Sequence, residues 1–289
     1  MNTVFHEGEY HIQEIMGVRK SSDTLSSMIK DNIPPIASKF LKDLNFCIIT
    51  ISTKKDDLFT YTVYNHNNFI EIVNQSQISI NLENHSYIPK EFYNIKNINI
   101  GMIGLNFEKA MRIRINGKGK IKSNKLYLSI DEIYSNCPKH IKRRVLQEDT
   151  KILENQTIQK GRKLNEEIIN IISNIDTFFI ATSHKEKGLD VSHKGGNKGF
   201  LKVLETNQLA FKDVPGNNLY NTIGNIYTNP NINIFFIDFK NYDTYHIKGI
   251  ASIKEIQVEN KKRLLITITC KEIIINKNSF NLIYSDDYL

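Results

Sequence analysis

Cysteine is scarce: the 289 residues hold three, Cys47, Cys137 and Cys270, with no paired spacing. That excludes a disulfide framework and a thiolate zinc site. It suits a reducing compartment, so the cytoplasm is the expected location. No apolar run approaches the roughly 20 residues that span a bilayer, and no membrane partner is expected. The N-terminal stretch carries Glu7-Gly8-Glu9 instead of a basic patch followed by an apolar run, so no signal peptide is expected. His184, His193 and His246 lack metal-ligand spacing, and no metal is expected. Neither a Walker loop nor a dinucleotide fingerprint is present.

What is present is a core and a positive charge. Hydrophobic residues make up 40% and charged residues 24%, the balance of a globular chain. The formal charge is +7, but the basic residues are scattered, and Lys, Asn and Ile crowd the whole chain. The densest basic run, Lys139-His140-Ile141-Lys142-Arg143-Arg144, reads as one helix face. Nucleic acid is therefore not the expected partner. A phosphorylated small molecule suits the excess charge equally well.

The chain matches itself. Cys47–Ile80 aligns with Phe178–Phe211 at a shift of 131, pairing Ile49 with Ile180, Ser52 with Ser183, Leu58 with Leu189 and Phe69 with Phe200. Asn99–Ile121 aligns with Asn231–Ile253 at a shift of 132, pairing Phe107 with Phe239, Ile115 with Ile247 and Gly117 with Gly249. A near-constant offset over two separated blocks reads as a tandem duplication. In the second half, short β-branched and aromatic runs broken by Gly and Asn predict strands at Thr177–Ser183, Leu189–His193, Phe200–Leu204, Gln208–Phe211, Asn233–Phe239, Asp243–Ile250 and Arg263–Ile275. Asn217–Thr228 has Leu219, Ile223 and Ile226 at helical spacing and Pro230 beyond its end. The expected fold is mainly β with inserted helices (α+β): two antiparallel barrels packed as a pseudo-dimer. Residues 1–45 form an N-terminal helical extension, with helices starting near Ser22 and at Pro34-Pro35. Residues 46–135 form the first repeat, 136–175 a helical connector, and 176–289 the second repeat.

Two segments of the second repeat could carry chemistry. Asp190-Val191-Ser192-His193-Lys194-Gly195-Gly196-Asn197-Lys198-Gly199 offers a hydroxyl, an ammonium and accessible backbone N–H groups. It is either a phosphate cradle or a Gly-rich hairpin with a solvated lysine. Pro215-Gly216-Asn217-Asn218-Leu219-Tyr220-Asn221-Thr222 enters a helix, where free N–H groups and the dipole favour an anion. The alternative is a helix cap with surface asparagines. The first repeat lacks both segments; its matching positions are Tyr61-Thr62-Val63-Tyr64-Asn65.

On these motifs, the run from Phe179 to Gly249 resembles the pyridoxamine 5′-phosphate oxidase-related FMN-binding split-barrel superfamily, and most closely its tandem-repeat group. Phe5-His6-Glu7-Gly8-Glu9 and Asn136-Cys137-Pro138-Lys139 resemble stretches of the same group, so the similarity spans nearly the whole chain. The resemblance implies two tandem split β-barrels with FMN at their interface, its phosphate held by Ser192, Lys194, Asn217, Asn221 and Thr222. His193 and Asn218 stand beside these as candidate cofactor-binding residues. Many relatives carry an Arg in the region occupied here by Leu219 and Tyr220. Arg112 and Arg114, on the Met111–Gly117 strand of the first repeat, are candidates to replace it, or belong to an ordinary barrel surface. Cys137 either lies over the flavin or is a buried inert thiol. His140 and His193 titrate near neutrality and tempt as acid–base groups, yet no catalytic residue is assigned, because flavin chemistry resides largely in the cofactor. The implied activity is an FMN-dependent oxidoreductase fed by NAD(P)H or a partner reductase, acting on a small-molecule substrate as a monomeric pseudo-dimer or a homodimer. Its rivals are a non-enzymatic flavin-binding or stress-response module and a haem-handling split barrel.

Overall fold

A computed structural model describes all residues except 1–3, 53–57, 65–68, 86–87, 137, 149–155, 215 and 286–289. Cys137 and Pro215, singled out above, lie outside the described residues. The chain begins with helices α1 (Glu7–Ile15), α2 (Arg19–Leu25) and α3 (Pro35–Lys42). Strands β1 (Phe46–Ser52), β2 (Phe59–Tyr64), β3 (Ile70–Asn74), β4 (Gln77–Asn81), β5 (Ile98–Asn106), β6 (Met111–Lys122) and β7 (Lys125–Ser135) follow. A connecting stretch contributes β8 (Val145–Glu148), β9 (Thr157–Gly161) and α4 (Glu166–Asn174). The second half supplies β10 (Thr177–His184), β11 (Gly188–Gly195), β12 (Lys202–Glu205), β13 (Gln208–Lys212), α5 (Asn221–Thr228), β14 (Asn231–Asp238), β15 (Asp243–Val258), β16 (Lys261–Lys277) and β17 (Leu282–Ser285). None of the helices among the described residues is long and apolar enough to cross a membrane.

The strands build two large antiparallel sheets with one strand order. The first runs β2-β1-β5-β6-β7-β4-β3 and the second β11-β10-β14-β15-β16-β13-β12. Their irregularities fall at matching places. Register slips at Asn116/Gly117 between β6 and β7, and at Lys248/Gly249 between β15 and β16. Glycine is needed at both: a Cβ on Gly117 would lie 2.0 Å from the Ser129 carbonyl oxygen, and one on Gly249 would lie 2.6 Å from that of Thr269.

The central strands β1 and β10 are buried along their whole length. Their two faces serve different cores, since side chains alternate along a strand. Cys47, Ile49 and Ile51 join the core inside the first sheet, and Phe178 and Ile180 the core inside the second. Phe46, Ile48 and Phe179 turn the other way, into a third cluster that also holds Ile103, Val191 and Phe235 and so bridges the two sheets. Each such side chain contributes roughly 1.5–3 kcal/mol on burial.

Two expectations for residues 136–175 need correction. Among the described residues there, only Glu166–Asn174 is α-helical, capped by the Asn165 side chain, which accepts from Ile168 N–H. The other described elements of the stretch read as a helical connector are β8, paired with β17, and β9, paired with β16. The basic run is not a helix face either. Lys142 and Arg144 both reach Asp176, Arg143 donates to the Glu108 carbonyl, and His140 takes a left-handed backbone with φ of 70°.

Candidate functional site

A cleft of about 860 Å³, counted out to its open mouth, lies between the two sheets. Its walls come from β6 of the first sheet, from β11 and β13 of the second, from Asp213, Val214 and Gly216 with the start of α5, and from Asn136, Lys139 and His140. Ser192, His193, Lys194, Asn217, Asn218, Asn221, Thr222, Arg112 and Arg114 all line it. The two segments of the second half and the two arginines of the first half, far apart in sequence, therefore meet at one place.

Each arrives there by strand alternation or by the helix start. On β6, Arg112 pairs across to Leu105 and Arg114 to Ile103, both members of the bridging cluster, so the two arginines face the second sheet. Arg114 is buried and donates two hydrogen bonds to Asp190 at 3.1 and 3.2 Å, one to Tyr134 and a short one to Ser192 Oγ. Burial opposes its charge, but Asp190 and Tyr134 together outweigh that and hold its pKa above the ordinary value. Lys194 lies 3.6 Å from Asp213. Burial pushes the Lys194 pKa down while Asp213 opposes, and burial pushes Asp213 up while Lys194 opposes. Arg112 reaches His193 Nδ1 at 2.8 Å.

The glycines of the Ser192–Gly196 segment do a different job from the one expected. The segment is strand up to Gly195, and Gly196 N–H donates to the Asp176 carbonyl instead of facing the cleft. A Cβ on Gly195 would sit 2.0 Å from the His140 carbonyl oxygen, and one on Gly196 would meet the Phe200 ring at 2.7 Å. These glycines admit neighbouring chain. Backbone donors come instead from the α5 N-terminus, where Tyr220 caps with φ of 61° and the first intrahelical bond of the opening turn runs from Gly224 N–H to Tyr220 O.

Several asparagines are already engaged. Asn217 Oδ1 accepts from Leu219 N–H at 3.2 Å, the Asn218 carbonyl accepts from Ser22 Oγ, and Asn221 Nδ2 donates to Glu9 Oε1. That last bond belongs to a helix crossing that sequence reasoning missed. Helix α1 packs on α5 with Gly8 against Gly224; a Cβ on Gly8 would lie 2.3 Å from the Gly224 carbonyl oxygen. His6 donates through Nε2 to Asn225 Oδ1 at 2.9 Å, and its Nδ1 accepts from Gly8 N–H. Glu9, Glu132 and Asp190 line a smaller polar pocket beside the cleft, which Asn221 also lines. Burial raises the Glu9 pKa to about 8 and also raises that of Glu132. The signal for this crossing was the Phe5–Glu9 segment, whose two acids flank a glycine.

Ligand atoms of His6, Glu7 and His184 lie within 4.8 Å of one another. They do not fit one ion. Both imidazoles accept backbone N–H bonds at Nδ1, so each carries its proton on Nε2. The rings also stack 4.0 Å apart at 15°, and near-parallel planes share no in-plane point for a metal.

Asn136, Lys139, Phe200, Phe211, Lys212, Asp213 and Tyr220 line the cleft without having been assigned to it beforehand. Among lining residues the cationic side chains are Arg112, Arg114, Lys139, Lys194 and Lys212, against the single carboxylate of Asp213. Among the described lining side chains, buried polar atoms with no partner include Arg114 Nε, His193 Nε2 and both amide atoms of Asn136.

No protein-family model and no curated protein matches the chain. Among solved structures, a putative pyridoxamine 5′-phosphate oxidase from Lactobacillus delbrueckii is 17% identical over 39% of this chain and 94% of its own, with a TM-score of 0.34. HupZ from Group A Streptococcus is 17% identical over 41% of this chain and 98% of its own, at 0.33. HutZ, the heme storage protein from Vibrio cholerae, is 14% identical over 41% and 97%, at 0.31. Likeness this weak says nothing of ligand or reaction, which rest on the cleft itself.

Proposed function

We propose that the chain binds FMN in the cleft between its sheets and works as a flavin-dependent oxidoreductase on a small-molecule substrate. The carrying observation is the cleft's donor set: five cationic side chains against one carboxylate, the open start of α5, and buried polar atoms without partners. Such a set fits an anionic phosphate joined to a polar ring, because unpaired buried donors are costly until a ligand meets them. Lys194 and the first turn of α5, with Asn217 and Thr222, would hold the phosphate. Arg112, Arg114, His193 and Asn136 would border the ring. Bound FMN would supply the hydride and electron transfer, and the protein would bind, orient and shield it. Electrons would come from NAD(P)H or a partner reductase.

The same reading takes the two halves as duplicated split barrels packed as a pseudo-dimer, with the phosphate half retained only in the second. The shared strand order, the paired bulges at Gly117 and Gly249 and the bridging apolar cluster support it. A cytoplasmic, soluble setting follows from the same reading. The haem alternative finds little support at His193, whose ring nitrogens are accounted for by Arg112 and a proton.

The test is the visible spectrum of the purified protein followed by FMN titration. Flavin absorbance is expected, and Lys194→Ala should weaken FMN binding about tenfold or more. Bleaching by NADH or a reductase separates an enzyme from a carrier. A protein that cannot be reconstituted with FMN, or that shows a Soret band with haem alone, would overturn the proposal.

A further inference from the structure

We infer that Arg112 locks His193 as an uncharged Nε2–H donor facing the cleft, there to meet a lone pair on the ligand's ring system, such as a carbonyl oxygen or a pyridine-type nitrogen. The inference rests on the reading of the cleft as a ligand site. The first step is chemical necessity. A guanidinium has five N–H donors and no acceptor, so the 2.8 Å contact from Arg112 to His193 Nδ1 requires a lone pair on Nδ1. In a neutral imidazole the proton then sits on Nε2. That atom is buried and has no hydrogen-bond partner, and His193 is among the residues that line the cleft.

The second step excludes a proton-transfer role. To accept a proton at Nδ1, the ring would have to give up Arg112; at Nε2 it has no free lone pair. His193 is 3% exposed. Its pKa is held well below the ordinary histidine value, first by burial and then by the positive charges of Arg112, Arg144, Lys194 and Arg114. Around the ring, Phe179 lies edge-on at 5.7 Å, and a Cβ on Gly195 would lie 2.9 Å from Cε1. His193 is thus a positioning and recognition group, and Arg112 acts through it.

The test reads the ring directly and then the ligand. In 15N-labelled protein, with the His193 signals identified by their loss in His193→Gln, the ring should show protonated Nε2 and bare Nδ1, unchanged from about pH 5 to about pH 8. Arg112→Met should release the lock, giving a tautomer mixture or protonation within that range. An Nδ1–H or imidazolium form in the unmodified protein, or unchanged signals in Arg112→Met, overturns the lock. For FMN itself, His193→Leu should lose about tenfold or more in affinity, while His193→Gln, which keeps an N–H at similar reach, should stay within about threefold. Full FMN affinity in His193→Leu refutes the donor role while leaving the cofactor reading intact. If the unmodified protein binds no FMN, the cofactor reading falls, and the ring signals alone decide the lock.

Discussion

Replacing Arg114 with Met should cost the protein more than most of its core substitutions. Arg114 and Asp190 lie 3.1 Å apart with side chains 8% and 4% exposed, and they join the first sheet to the second. At an effective dielectric of about 20, two unit charges at that distance attract by about 5 kcal/mol, and desolvation takes much of it back. Truncating Arg114 removes the attraction but leaves Asp190 buried and charged, a loss expected at about 3–5 kcal/mol. In a chain of this size that lowers Tm by roughly 6–20 °C. Asp190→Asn should also be costly, because it strands the guanidinium. The double variant Arg114→Met/Asp190→Asn strands neither charge, so its loss should fall short of the sum of the singles by about 2 kcal/mol or more. Urea unfolding of the four proteins completes the cycle. Single losses under about 1 kcal/mol that simply add would refute the idea that this pair helps the apolar cluster to hold the sheets together here.

The α1–α5 crossing yields two more expectations. Gly8→Ala drives a methyl to 2.3 Å from the Gly224 carbonyl oxygen, so thermal unfolding should show a loss of about 1–3 kcal/mol, and an unchanged Tm would mean the helices can part freely. Glu9 carries a pH signature. Its pKa rises from 4.5 to about 8 through burial, so above 4.5 the unfolded chain sheds a proton that the fold keeps, and stability drains away until about pH 8. His6, lowered from 6.5 to about 4 by burial and by His184, contributes the opposite slope between those values. Glu9's falling limb is therefore unopposed by His6 only above pH 6.5, and Glu9→Gln should flatten it, gaining about 2 kcal/mol by pH 8. Parallel pH profiles for the two proteins would expose the reasoning as wrong. In the cleft, the loss of FMN affinity expected for Lys194→Ala should be largely absent in Lys194→Arg, since the charge is kept.

Strands were legible wherever one side chain in two fed a core. Every run expected in the second half overlaps a strand, although β12 begins only at Lys202 and β15 runs on to Val258, well past its expected end at Ile250. There the hairpin leaves the core, and Lys254, Glu255 and Gln257 carry no apolar alternation to read. The strands β8 and β9 were missed because their partners, β17 and β16, lie more than a hundred residues away and leave no local mark. The two halves that match in sequence carry sheets of one strand order. The site was legible in composition, less so in bonding. All nine chosen residues line one cleft, yet Asn217 and Asn221 spend side-chain atoms on Leu219 and Glu9, and Gly195 and Gly196 yield to His140 and Phe200. A sequence shows which groups a site could use; only the packing shows which are already taken.

The Gly8–Gly224 crossing also sets an order of assembly. On a ribosome adding about 5–20 residues per second, α1 emerges on the order of ten to forty seconds before α5 exists to receive it. The buried face it will bring to α5, with His6, Gly8 and Glu9, must wait in solvent or against temporary neighbours all that time. The first sheet can form meanwhile from contiguous chain, but the face of α5 that takes Gly8 and Glu9 stays uncovered until α1 returns to it. A segment made long before α5 is thus among the last to find its place.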